Sequence, residues 1–185
     1  MFSNVFVLCT GRCGSTTFAQ ASQHIENYTA AHESRISLIG DKRLQYPENH
    51  IEVDNRLSWF LGSLDKKYGN SAFYVHLKRD IMSTAKSYAE RLYSPIIKGY
   101  SESIILPKQF NYERIDICID YCNTVNSNIE LFLQNKSHKM EFNLENAQED
   151  FSRFWQLINA TGNYAMALKE WENKYNATPL NNDIF

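Results

Sequence analysis

Apolar and polar positions divide the chain into short, sharply bounded blocks. Asn4 leads into Val5-Phe6-Val7-Leu8-Cys9, an unbroken apolar run with β-branched Val5 and Val7 that predicts a strand over 4–9 buried on both faces. Residues 10–14 form a turn, and 15–25 takes helical spacing with Phe18, Ala21, Ser22 and Ile25 on one face. A second strand is expected over 28–32. The stretch 34–49 keeps no period and contains Pro47, which predicts a long loop with room for one helical turn. Ile51-Glu52-Val53 reads as a short strand, and Leu57, Phe60, Leu61 and Leu64 as a helix stopping near Gly69-Asn70.

The clearest strand signal after the first is 72–77, and Asp80 is placed to cap a helix reaching Leu92. Pro95, Gly99 and Pro107 predict a loop. The longest helix is expected over 112–134, with Ile115, Cys118, Cys122, Val125, Ile129 and Phe132 on one face. A strand over 139–144, a helical face of Phe151, Phe154, Trp155 and Ile158, and a closing helix over 164–175 complete the pattern. Strands alternating with helices call for an α/β three-layer sandwich, a mostly parallel sheet flanked by helices, in a single domain over 1–185. Ligands in such sheets sit at the carboxyl ends of the strands. That rule singles out the turns after Cys9 and after Leu77.

Composition narrows the class. The chain is 43% hydrophobic and 22% charged, ordinary for a globular protein, and its net charge of −2 argues against a nucleic-acid partner. No apolar run is long enough for a membrane span, and no basic segment or cleavage site precedes Val5, so the expectation is a cytoplasmic protein that does not engage a membrane. The four cysteines pair as Cys9/Cys13 and Cys118/Cys122, four residues apart, without the Cys-x-x-Cys spacing of common zinc sites. They are read as reduced structural thiols, and no metal is expected.

The first chemistry-bearing segment is Thr10-Gly11-Arg12-Cys13-Gly14-Ser15-Thr16-Thr17, a glycine-containing turn between a strand and a helix. Glycines let backbone approach an anion closely, the first helical N–H groups point at it, and Arg12 adds a permanent charge. A Walker A loop would carry a lysine before its Ser/Thr; none stands before Ser15 or Thr16. The segment resembles the 5'-phosphosulfate loop of sulfotransferases that use 3'-phosphoadenosine 5'-phosphosulfate (PAPS). In that resemblance Arg12 takes the basic position and Ser15, Thr16 and Thr17 the hydroxyl positions, while Cys13 departs from the small residue usual there. The second segment, Tyr74-Val75-His76-Leu77-Lys78-Arg79-Asp80 with Ser87 eight residues past Arg79, is similar to the family's 3'-phosphate motif. A planar guanidinium can grip two oxygens of a phosphate, and a hydroxyl two turns into the helix can close over it. Ile81 stands where the family usually has proline.

The resemblance implies a P-loop NTPase-like sulfotransferase fold, with PAPS as donor and adenosine 3',5'-bisphosphate as product. It also implies a donor site of Gly11, Arg12, Cys13, Gly14, Ser15, Thr16, Thr17, Arg79 and Ser87, with Arg12 stabilising the leaving oxygen. The catalytic base is sought first at Glu33 and then at Asp54, with His32 and Glu52 behind them. The loops 34–49 and 93–107 should wall the site of a small-molecule or carbohydrate acceptor, with Lys42, Arg43, Lys98 and Lys108 as candidate anion contacts and Tyr46, Tyr93 and Tyr100 as stacking surfaces. Two other classes remain open: a P-loop kinase of nucleotides or small molecules, and a non-catalytic nucleotide-binding or interaction module. Self-association through the exposed faces of the long helix is also open.

Overall fold

The computed structural model describes residues 2–91, 93–106, 112–173 and 175. Strands β1 (Asn4–Cys9), β2 (Thr29–His32), β3 (His50–Val53), β4 (Phe73–Lys78) and β5 (Lys139–Asn143) form one sheet. Their order is β2-β3-β1-β4-β5 and every pairing is parallel. β1 lies at the centre with all six residues buried, as its uninterrupted apolar run requires. Val5, Val7 and Cys9 point to one face, where Phe18, Phe142, Phe151 and Phe154 complete a core. Phe6 and Leu8 point to the other, joined by Leu57, Tyr74, Tyr121 and Ile129.

Helices cover both faces. α1 (Ser15–Ser22), α6 (Ala147–Leu157) and α7 (Tyr164–Lys169) lie over the Phe18 side. α2 (Leu61–Tyr68), α3 (Ile81–Ala89), α4 (Pro95–Gly99) and α5 (Arg114–Leu133) lie over the Phe6 side. The buried stripe of α5 is Cys118, Tyr121, Cys122, Val125, Ile129 and Leu133. The expected α/β layering with a parallel sheet is therefore present.

Several boundaries differ from expectation. α1 stops at Ser22, whose hydroxyl donates back to the Phe18 carbonyl at 2.8 Å, and Ile25 instead forms a bridge with Gly162. The helix expected from Leu57 is split into a 3-10 turn, Asn55–Trp59, and α2. The segment expected as a loop is helical: Pro95 opens α4 at a position where its missing N–H costs nothing, and a π-helix, Tyr100–Ile105, continues it. The closing helix gives way after Lys169 to a 3-10 turn, Glu170–Glu172. Leu92, Pro107 and Lys108 lie outside the described residues. Among the described residues no helix is long and apolar enough to cross a membrane.

The topology fixes where a ligand fits. From β1 the chain leaves toward β2, and from its neighbour β4 it leaves toward β5. The two connections diverge and open a crevice above the carboxyl ends of β1 and β4, the switch point at which such sheets bind ligands.

Candidate functional site

The turn after β1 is held in an unusual backbone shape. Gly11 (φ 82°), Arg12 (φ 60°) and Gly14 (φ 88°) all adopt left-handed conformations. For Arg12 that costs roughly 1–2 kcal/mol, so the surroundings must enforce it. They do so through one carbonyl. Thr10 O accepts from Tyr88 Oη at 2.7 Å, Tyr121 Oη at 2.9 Å and Asn55 Nδ2 at 3.5 Å. These donors come from α3, α5 and the 3-10 turn after β3, so three connections converge beneath the turn. Gly11 leaves no room above them: a Cβ there would stand 2.4 Å from Tyr88 Oη. The N-cap of α1 is Gly14, which has no side chain to cap the helix, and the first turn-closing bond runs from Phe18 N–H to Gly14 O at 2.9 Å. The N–H groups of Ser15, Thr16 and Thr17 therefore carry the positive end of the helix toward the crevice.

Cations gather at the same place. Arg12 Nε donates to Ser87 Oγ at 3.0 Å, and Arg79 Nη1 donates to the Arg12 carbonyl at 3.1 Å. Burial holds the Arg12 pKa below its ordinary value, and the neighbouring Arg91 and Arg79 guanidiniums push it the same way. Like charges collected in a half-buried crevice repel one another, and an anion bound between them relieves that repulsion. Asp80, directly after Arg79, caps α3 by accepting Ser83 N–H at 2.8 Å, and the Ser83 hydroxyl together with this N–H draws its carboxyl pKa down. Its own N–H donates to Glu145 Oε1 at 2.9 Å. Ser83 is thus bound into the cap through both its hydroxyl and its backbone N–H. Cys13 is fully buried beside Cys9; the hydrogen bond between their thiols pushes Cys9 up and Cys13 down. Cys13 is therefore a packing residue of the turn, with its side chain turned inward.

The candidate bases occupy two kinds of environment. Glu33 ends β2 in a left-handed conformation (φ 51°), half-buried, with its carboxylate 2.7 Å from Arg56 Nη1. Beside it His32 Nε2 lies 3.2 Å from Ser15 Oγ, which ties the end of β2 to the start of α1. Asp54 is fully buried, and both of its oxygens are engaged: Oδ2 by Arg43 Nη2, Oδ1 by Arg56 N–H at 2.8 Å. Burial pushes the Asp54 carboxyl up, and the Arg43 guanidinium opposes it. Glu52 is equally buried, accepting Ser34 N–H at 2.7 Å and Ser34 Oγ–H at 2.6 Å, with His50 Nε2 at 3.0 Å. Of the four, Glu33 and His32 have solvent-accessible side chains at the rim.

The fold thus brings together the turn 10–17, Arg79 and Ser87, and links Glu33 to the turn indirectly, through Arg56 and Asn55. Tyr88, Tyr121 and Asn55 carry the turn yet have no sequence signal of their own. Tyr88 neighbours Ser87, but Tyr121 sits in an apolar stripe where only core packing is expected. Lys42 is exposed on the 3-10 turn Gly40–Leu44, whereas Arg43, one residue on, is buried against Asp54 and unavailable to a ligand. No family model, curated protein or solved structure matches the chain significantly, so its function has to be argued from the site itself.

Proposed function

We propose that the chain is a sulfotransferase that moves a sulfuryl group from PAPS to a hydroxyl or amine. The observation that carries this reading is the joining of Arg12, Arg79 and Ser87, drawn from two segments more than sixty residues apart, into one cationic crevice. A single phosphate needs one such cradle. A donor with phosphates at both ends of a ribose needs two adjacent ones, and the turn 10–17 and the Arg79/Ser87 pair supply them.

In this reading the N–H groups and hydroxyls of Ser15, Thr16 and Thr17 hold the 5'-phosphosulfate. Arg79, with Ser87, holds the 3'-phosphate. The acceptor oxygen attacks sulfur in line as the bond from sulfur to the 5'-phosphate oxygen breaks. Arg12 and the amino end of α1 stabilise the charge that develops on that leaving oxygen. Glu33 takes the acceptor proton, with Arg56 fixing its carboxylate in place. Asp54 stands behind it as the anchor of Arg43.

The kinase reading lacks a lysine before Ser15. A non-catalytic nucleotide-binding module would keep Arg12, Arg79 and Ser87, and turnover separates it from an enzyme. The test is calorimetric titration with adenosine 3',5'-bisphosphate, with AMP and ATP–Mg²⁺ as controls, followed by transfer of labelled sulfate from PAPS. Selective bisphosphate binding and transfer are expected. Preference for ATP–Mg²⁺ would move the chain to the kinases, and binding without transfer to any acceptor would make it a module.

A further inference from the structure

Beyond the donor crevice the described residues form an open cleft of about 320 Å³. It lies between α4 with its π-helical continuation and the start of α5, and Tyr93, Ile97, Tyr112 and Ile117 supply its apolar and aromatic wall. Two contacts tie it to the crevice. Arg114, at its edge, donates to the Arg91 carbonyl at 2.7 Å, and the Arg91 guanidinium is one of the charges that lower the Arg12 pKa. On the other side Trp59 lies 6.4 Å from the Tyr100 ring, centroid to centroid, and the 3-10 turn that carries Trp59 also holds Asn55 under the Thr10 carbonyl and Arg56 against Glu33. From Tyr121, which holds Thr10, to Arg114 is two turns of α5, about 10 Å along its axis. One helix therefore borders both the cleft and the turn 10–17.

Charge decides what it takes. Lys98 and Arg114 face the cleft, and Glu102 stands 4.0 Å from Lys98, leaving a formal charge of +1 among its described lining residues. Two other cations on this side are committed: Arg43 to buried Asp54 and Arg56 to Glu33. A sulfated or uronate-rich oligosaccharide carries several anionic groups and needs a row of cations, which the described residues of this wall do not form. The apolar surface is abundant: Tyr93 is 70% exposed, and Trp59, Phe60, Ile104 and Leu106 are also exposed along the same connections. The volume matches a body of one or two rings.

We infer that the acceptor is a small hydroxylated aromatic or comparably apolar molecule, uncharged or singly charged, bound in the cleft between α4 and α5. This rests on the donor reading above. In the step it implies, the phenolic oxygen forms the new bond to sulfur, the sulfur–phosphate oxygen bond breaks with its electron pair going to the phosphate, and the phenolic proton passes to Glu33.

The test is titration of the full chain with 1-naphthol and with a desulfated heparin octasaccharide, each with and without saturating adenosine 3',5'-bisphosphate. Saturable naphthol binding is expected, weakened at least about tenfold by Tyr93→Asp, while bisphosphate affinity stays within about twofold. Tyr93 is exposed, so this variant folds as the parent does. Absence of saturable naphthol binding, tighter binding of the octasaccharide, or indifference of naphthol to Tyr93→Asp would each overturn the inference. Loss of bisphosphate binding alone, with naphthol still bound, would instead sink the donor reading and leave the ligand class of the cleft standing.

Discussion

Gly11→Ala probes how the turn is built, because the same substitution at Gly14 supplies an internal control. Both positions are left-handed, with φ of 82° and 88°, so alanine pays about 1–2 kcal/mol of backbone strain at either. The obstacles differ. At Gly11 the added Cβ meets Tyr88 Oη at 2.4 Å and Asn55 Nδ2 at 2.9 Å, two donors fixed on the Thr10 carbonyl. Displacing the buried Tyr88 hydroxyl from its acceptor adds about 1–3 kcal/mol, for a total of about 2–5 kcal/mol. At Gly14 the Cβ meets Leu144 Cδ1 at 2.6 Å, the tip of a half-buried side chain that can rotate away, so the total stays near 1–2 kcal/mol. With a urea slope of roughly 2 kcal/mol/M, the midpoint should fall by about 1–2.5 M for Gly11→Ala and by about 0.5–1 M for Gly14→Ala. Placing Gly11→Ala in a Tyr88→Phe background removes the oxygen it strikes, and the cost should shrink by about 1 kcal/mol or more. Equal midpoint shifts at the two glycines, with no coupling to Tyr88, would refute this account of the turn.

Three further outcomes are expected. Arg43→Met should cost about 3–5 kcal/mol by leaving Asp54 buried without its partner, and adding Asp54→Asn should recover much of that loss; urea unfolding of the single and double variants checks it. His76 is buried and bonded to Asn126 at 3.1 Å, and burial holds its pKa below the ordinary value of about 6.5. The unfolded chain therefore binds more protons than the native one just below that pH, so stability should fall on acidification from neutral pH, and His76→Gln should flatten the slope of unfolding free energy between about pH 7 and 5. Glu33→Gln should abolish sulfuryl transfer while leaving bisphosphate affinity nearly unchanged, and normal turnover in that variant would remove Glu33 as the base.

What was legible in the sequence is what depends on local pattern. β1 is readable as an apolar run suited to burial on both faces, β4 as one interrupted only by His76 before its last residues, and α5 because a single buried stripe imposes its period. In the region of α4 proline and glycine suggest a break, yet Pro95 sits at the first helical position, which favours it. Within the site, the turn 10–17 and the Arg79/Ser87 pair could be found by residue type and spacing. The network beneath them could not. Three donors from α3, α5 and the turn after β3 meet on one carbonyl, and nothing in the residues next to Tyr121 or Asn55 records that meeting. The same holds for Asp54, which looks from sequence like a base at the end of a strand. Only the three-dimensional arrangement places Arg43 against it.

The most direct test of the central claim is the preference for a 3'-phosphate, measured as the affinity ratio of adenosine 3',5'-bisphosphate to AMP in the parent chain and in Arg79→Ala. A donor site built as proposed predicts a strong preference in the parent that falls at least about tenfold in the variant, because only the bisphosphate meets the Arg79 guanidinium. Equal weakening of both nucleotides, or no preference in the parent, would contradict it.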